Sequence, residues 1–277
     1  MKLIKQDDVL GKGAFSTVYK TSINGVICAI KYADEKENSR KYIRHEVQIL
    51  KELENTTHCL KMISYKVSKE GYIAYELLNG KLSEMKNLSS ENIKKIANDF
   101  YSAIKEMHSC GVVHCDLKPE NIMFLNGVLK IIDFGNSLFA DELMNTRQTI
   151  NTLYYRPPEY IIGAPLDYRV DYWAFGCIIM ELLIGRELFI PVADNDLRLH
   201  ANMLGQMILT FGDFSDRFIA SGTNSGKYFD LKNKNIYRYK YLLGDRTSLY
   251  KILKKHGYSE QLALEWTCYL LPFFNRN

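Results

Sequence analysis

"VVHCDLKPENIMF", Val112 to Phe124, sets a histidine, an acid, a base and an amide within a few residues, between apolar flanks. Asp116 lies in a loop after the apolar "GVV". A carboxylate there can accept the proton of an attacking hydroxyl. Lys118 can neutralise charge on a moving phosphoryl group. Asn121, five residues after Asp116, can ligate a metal through its amide oxygen. Two short strand-like runs follow, "NIMFL" and "VLKIID", and "IIDFG" ends the second on Asp133. A charge after so apolar a run is costly unless it meets a cation, which argues for Asp133 as a second metal ligand. A plain turn at "DFG" is the alternative.

Upstream, "GKGAFSTV" (Gly11 to Val18) joins two strand-like runs. Glycines at 11 and 13 let backbone approach a ligand and offer N–H groups to phosphate oxygens. A simple hairpin turn accounts for them equally well. Ser16 stands where a third glycine often sits, and its small side chain still fits. Lys31, closing "CAIK", can place an ammonium on phosphates, or else face solvent. Glu46, on a predicted helix, can hold that lysine by an ion pair, or be an ordinary exposed glutamate.

The chain has 277 residues and 32.1 kDa, is 47% hydrophobic and 25% charged, and carries a net charge of +4. That is ordinary for a soluble globular protein. The basic residues are spread rather than massed, and no RNP, zinc-finger or helix-turn-helix pattern occurs, which argues against a nucleic-acid binder. "MKLIKQDDVL" is too polar for a secretory signal. The longest apolar run, "YWAFGCIIMELLIG", is too short for a bilayer and carries Glu181. Six cysteines fall in no close ligand spacing, so reduced thiols are expected rather than disulfides or zinc.

The first part of the chain reads as strands, with Asn24-Gly25 as a hairpin turn between "VLGKGAFSTVYKTS" and "VICAIKYAD". "SRKYIRHEVQILKELE" has the apolar spacing of an amphipathic helix, and strand character returns in "CLKMISYKV" and "GYIAYELL". From about residue 90 the periods are mostly helical, in "SENIKKIANDFYSAIKEMHS", with Ser89 or Ser90 as its cap, and in "VDYWAFGCIIMELLIG". The expected fold class is α+β, a single domain with a small strand-rich lobe (1–75), a hinge (76–80) and a larger helical lobe (81–277).

Taken in order, "GKGAFSTV", "AIK", "HCDLKPEN", "DFG" and "RPPE" resemble the eukaryotic protein kinase family, over nearly the whole chain. The resemblance implies a bilobal fold that uses ATP and Mg2+. Leu10, Gly11, Lys12, Gly13, Ala14, Phe15, Ser16 and Val18 would cover the nucleotide. Lys31 would hold its phosphates, with Glu46 orienting that lysine. Leu10, Val18, Ala29 and Met123 would sandwich adenine, whose edge would meet the backbone of Glu76 and Leu78, with Tyr75 as gatekeeper. Asp116 would be the catalytic base, Lys118 a γ-phosphate contact, Thr152 their bridge, and Asn121 and Asp133 the magnesium ligands. Asp171 looks like the aspartate that braces the catalytic loop.

Within the CMGC branch, His-Cys-Asp is similar to the dual-specificity tyrosine-regulated kinases. "DFGNS", "INTLYYRPPEYIIG", "ELLIGRELF" and the C-terminal run ending "LLPFF" look more like SR-protein kinases. This implies a monomeric enzyme, cytoplasmic or nuclear, acting on serines of Arg/Ser-rich splicing factors in mRNA processing, with no membrane or direct nucleic-acid partner. Several positions depart from the pattern. Cys115 replaces an arginine that clamps a phosphorylated activation loop, so activity without that phosphorylation is expected. Leu153 replaces an arginine beside the P+1 pocket. Candidate acids for an arginine-rich substrate are few: Asp194, Asp196, Asp213 and Asp216. The last helix, with the arginine that usually pairs Glu159, is not found, and Arg276 has the wrong spacing for it. The long spacer and N-terminal extension of many SR-protein kinases are not found either. A pseudokinase scaffold is disfavoured because Lys31, Asp116, Asn121 and Asp133 are all present. A small-molecule kinase is disfavoured by the peptide-docking look of "NTLYYRPPE".

Overall fold

A computed structural model describes residues 8–12, 16–33, 37–68, 71–144, 146, 149–232, 236–239 and 244–275. The chain is α+β and divides into two compact units. One comprises the described residues of Met1–Met85, Asn98–His114 and Pro119–Phe139; the other, those of Lys86–Ala97, Cys115–Lys118 and Ala140–Asn277.

The first unit is built on an antiparallel sheet of five strands: β1 (Val9–Lys12), β2 (Ser16–Ile23), β3 (Val26–Ala33), β4 (Met62–Lys66) and β5 (Tyr72–Glu76), in the order β1-β2-β3-β5-β4. Asn24 and Gly25 both have positive φ (52° and 83°) and close the β2–β3 hairpin, as a two-residue turn between right-twisted strands requires. The register pairs Val18 with Lys31 and Lys31 with Ile73, and Lys20 with Ala29 and Ala29 with Tyr75. Directly opposed residues share a face, so Val18, Ala29, Lys31, Ile73 and Tyr75 lie on one side. The other side carries buried Cys28, Ile30 and Ala74 under Tyr19, Ile23, Tyr32 and Tyr72.

Helix α1 (Glu37–Glu52) buries Ile43, Val47 and Leu50 while Arg44, Gln48 and Lys51 stay exposed. That i, i+4, i+7 stripe is the amphipathic pattern of a core-facing helix, and burying each such side chain contributes roughly 1.5–3 kcal/mol. Helix α2 (Ser90–Ser109) matches its predicted span residue for residue, and Ser89 Oγ accepts from the Asn92 N–H at 3.2 Å as its cap. Short strands β6 (Val112–Val113), β7 (Ile122–Leu125), β8 (Val128–Ile131) and β9 (Leu138–Phe139) complete the first unit as the pairs β6–β9 and β7–β8.

The second unit is mainly helical: α3 (Ala140–Leu143), α4 (Pro158–Ile162), α5 (Arg169–Ile184), α6 (Asp196–Phe211), α7 (Asp216–Ser221), α8 (Leu249–Lys255) and α9 (Glu260–Phe274), with a small hairpin of β10 (Phe229–Asp230) and β11 (Ile236–Tyr237). Helix α5 is apolar nearly all round and buried from Trp173 to Met180, the signature of a helix enclosed by others. A Cβ on Gly176 would sit 2.6 Å from the Phe274 ring, so α9 lies against α5 only because that position is glycine. Among the described residues, no helix is long and apolar enough to cross a membrane.

Candidate active site

In the first unit a chain of charges runs across the sheet face. Lys31 Nζ donates to Glu46 Oε2 at 2.8 Å and to Asp133 Oδ1 at 3.1 Å. Glu46 is 1% exposed, so its charge is tolerable only because it is paired. Burial works to lower the Lys31 pKa, but the charges of Glu46 and Asp133 outweigh it and the net shift is upward. The ammonium stays protonated throughout the neutral range. Tyr75 adds a contact that no sequence pattern foretold: its hydroxyl donates to Glu46 Oε1 at 2.8 Å.

Asp133 follows β8 and takes the left-handed conformation, φ 62°. That costs a non-glycine residue roughly 1–2 kcal/mol. Its side chain is about half exposed, at 49%. The Ile132 N–H donates to the Asn121 carbonyl at 2.9 Å, which ties the turn of Pro119–Asn121 to the residue before Asp133. The Nε2–H of His114 donates to the Ile132 carbonyl at 2.9 Å, and its ring meets Phe134 edge-on. His114 is therefore a fully buried structural histidine that shapes the approach to Asp133. The Asp133 carboxylate and the Asn121 amide oxygen are by their chemistry hard donors, the kind that suits Mg2+ rather than a thiophilic metal. The residues present fit that ion.

The remaining residues expected to cover a nucleotide or contact its adenine also belong to the first unit. Leu10 is exposed, Gly11, Val18, Ala29, Leu78 and Met123 are half-buried, Lys12 is exposed and Ser16 is buried. The expected residues Gly13, Ala14 and Phe15 lie outside the described residues, as does Arg276. At Glu76 the N–H is spent on the Lys61 carbonyl at 3.0 Å, so that donor is already engaged. The Glu76 side chain accepts from the Lys61 N–H at 2.9 Å and pairs with buried Lys130 at 3.0 Å.

In the second unit Asp116 is held by three donors. Its Oδ1 accepts from the Thr152 N–H and from Thr152 Oγ1, both at 2.9 Å, and its Oδ2 from Lys118 Nζ at 2.9 Å. Lys118 Nζ also reaches Thr152 Oγ1 at 3.2 Å, so the threonine hydroxyl joins Asp116 and Lys118. Asp116 is 9% exposed. Preceding it, Cys115 is fully buried with φ 65°. Its N–H donates to Asp171 Oδ1 at 3.0 Å and its carbonyl accepts from the Asn151 N–H at 2.6 Å. Those two bonds hold a cysteine in a conformation it would not adopt alone.

Beyond Thr152, Leu153 is half-buried in the 3-10 turn Leu153–Tyr155. Arg156 donates to the Asn151 carbonyl at 3.0 Å, lies over the Tyr160 ring at 5.0 Å and meets His200 Nε2 at 2.8 Å. Arginine has no acceptor, so that histidine nitrogen is unprotonated. Burial and the Arg156 charge both push His200 down. The candidate substrate acids are partly committed: Asp194 pairs with Arg198 and Asp213 with Arg246, each at 2.9 Å. Asp196 and Asp216 lie in the first turns of α6 and α7.

A protein kinase domain model matches residues 4–218, well over half of the chain. The chain is 29% identical over 251 residues to dual specificity tyrosine-phosphorylation-regulated kinase 3 of Mus musculus, spanning 83% of this chain and 41% of that protein. It is 29% identical over 240 residues to a probable dual specificity protein kinase YAK1 homolog of Encephalitozoon cuniculi, spanning 82% and 57%. With dual specificity protein kinase YAK1 of Saccharomyces cerevisiae the identity is 31% over 239 residues, spanning 80% and 29%. The matched segment thus spans less than two thirds of these relatives' own length. With the five-stranded sheet, the Lys31–Glu46 pair and the Asp116–Thr152–Lys118 arrangement in view, the chain belongs to the protein kinase domain family.

Proposed function

We propose that the chain is an ATP-dependent serine/threonine protein kinase, with lobes at 1–75 and 81–277 and a hinge at 76–80. The observation that carries this reading is the triple hold on Asp116 by Thr152 and Lys118. It holds one carboxylate in place with a cation beside it, which supports a reading of Asp116 as the proton acceptor. In the reaction the substrate hydroxyl gives its proton to Asp116, and its oxygen forms a bond to the γ-phosphorus. The bond from that phosphorus to the bridging oxygen breaks, and ADP leaves with the electron pair. Lys118 offsets charge gathering on the transferred group. Lys31 holds the phosphates, and Glu46 holds Lys31. Asn121 and Asp133 would carry Mg2+, which when bound neutralises charge on the phosphate oxygens.

Transfer of labelled phosphate from Mg-ATP to protein, lost in Asp116→Ala and in Lys31→Ala, tests the proposal. ATP binding with no transfer to any peptide library would favour a scaffold instead. For substrate we propose serines in Arg/Ser-rich proteins, on the likeness of "INTLYYRPPEYIIG" and "ELLIGRELF" to SR-protein kinases. The pairing of Asp194 and Asp213 with neighbouring arginines means that an arginine-rich substrate must displace those partners to use them. A second reading, dual specificity, draws on the names of the relatives and on the His-Cys-Asp triplet. An array of Arg-Ser repeats, Ser-Pro peptides, acidic-flanked serines and tyrosine peptides separates the two.

A further inference from the structure

A buried carboxylate with one cation beside it keeps an oxygen to spare and can pivot about its partner. Glu46 has none to spare. Lys31 holds Oε2 and Tyr75 holds Oε1, both at 2.8 Å, at a residue 1% exposed. The sheet makes this possible. Tyr75 stands opposite Ala29, and Lys31 opposite Ile73, so phenol and ammonium rise from the same face. Tyr75 is itself only 4% exposed, which leaves its ring little room to leave. The surroundings are close as well, since a Cβ on Gly135 would already touch Asp133, Glu46 and Lys31 at 3.6–3.9 Å.

We propose that Tyr75 is a positioning residue: its hydroxyl clamps Glu46 so that the Lys31–Glu46 ion pair stands assembled without a bound partner or a modification. The catalytic consequence rests on the kinase reading above, but the clamp itself does not. To withdraw Glu46, α1 must break a charge-assisted hydrogen bond and an ion pair together, and leave the buried Tyr75 hydroxyl a donor without its acceptor. Burial and the Glu46 charge both raise the phenol's pKa well above its ordinary value. It therefore remains a donor across any physiological pH.

The test is the rate at which Lys31 reacts with an amine-directed acylating reagent, read by peptide mass spectrometry without nucleotide. Tyr75→Phe keeps the ring and removes the donor, and its folding is checked by circular dichroism. Labelling of Lys31 is expected to rise about 5-fold or more, since a charge-assisted hydrogen bond is worth roughly 1.5–3 kcal/mol and only part of it appears as opening. In Glu46→Gln, labelling is fast already, and adding Tyr75→Phe is expected to raise it no further. An equal rise in both backgrounds, or none in the wild-type background, overturns the proposal. In turnover, Tyr75→Phe is expected to lower kcat about 10-fold with the KM for ATP changed less than 2-fold; an unchanged kcat overturns the positioning role. Should wild type transfer no phosphate, the kinase reading fails while the labelling cycle still judges the clamp. A further measurement needs no variant: the Tyr75 hydroxyl proton, observed by NMR, is expected to exchange slowly, and a rapidly exchanging phenol overturns the proposal.

Discussion

Thr152 gives both its backbone N–H and its side-chain hydroxyl to the same oxygen of Asp116, each at 2.9 Å. One residue thus sets the direction in which the remaining lone pairs of that carboxylate point, while the same hydroxyl accepts from Lys118. Thr152→Val removes the hydroxyl and keeps the shape. A hydrogen bond to a charged group is worth roughly 1.5–3 kcal/mol, so kcat is expected to fall about 10- to 100-fold, with Thr152→Ser retaining most activity. Steady-state kinetics on the two variants check this, and equal activity of the valine variant and wild type would remove Thr152 from the mechanism.

Cys115 is fully buried, and a thiol cannot pair with a phosphate dianion. Phosphatase treatment of the purified protein is therefore expected to leave its transfer rate unchanged. A loss of more than about 10-fold, restored by an upstream kinase, would show that another basic residue takes over the arginine's part.

The carboxylate of Asp171 is fully buried and receives the Cys115 N–H. Asp171→Ala takes away that acceptor and loosens the conformation of the loop that bears Asp116. An unsatisfied buried donor costs about 1–3 kcal/mol. Urea unfolding is expected to show a loss of that size, with kcat falling further than stability alone explains.

Gly176→Ala drives a methyl into the Phe274 ring. Overpacking of this kind costs about 1–3 kcal/mol, and the melting temperature should fall accordingly. Phe274→Ala alone opens a cavity, at a cost of about 3–5 kcal/mol. The double variant is expected to be more stable than the sum of the two losses predicts. Strict additivity would mean that the helices part rather than clash.

Glu106 accepts from the Thr57 and His58 N–H groups at 2.6 and 2.9 Å. Burial opposes its charge, but those bonds and His58 prevail, and its pKa is lowered. A carboxylate lowered on folding contributes stability that is present above its unfolded pKa and fades as the pH falls through the folded value. Wild type should therefore lose stability in acid more steeply than Glu106→Gln. Parallel curves for the two as the pH falls below about 5, through the ordinary glutamate range and beneath it, would contradict the assignment.

Much of the architecture could be read where local chemistry agrees with the fold. The Asn24-Gly25 turn needs positive φ, which those residues supply, and the apolar repeat from Ile93 to Met107 admits only a helix. The sheet order was not legible, because β3 pairs with β5 across an intervening helix and strand; only tertiary register reveals that. The same holds at Glu46. Its pairing with Lys31 is what the kinase resemblance implies, whereas its bond to Tyr75 depends on which residue stands opposite Ala29. Cysteine gives no hint of a left-handed backbone, so the strain at Cys115 appears only once Asp171 and Asn151 are seen to impose it. Asp194 and Asp213 read as open acids in one dimension and meet arginines in three.

Both tryptophans, Trp173 and Trp266, belong to the helical unit and are buried there. Indole emission is thus a private optical reporter for that half of the protein. Far-ultraviolet ellipticity, in contrast, sums over helices and strands alike. Recording both signals along one denaturant titration asks whether the sheet-bearing half melts in step with its neighbour: superimposable curves mean a single cooperative transition, and displaced midpoints mean two.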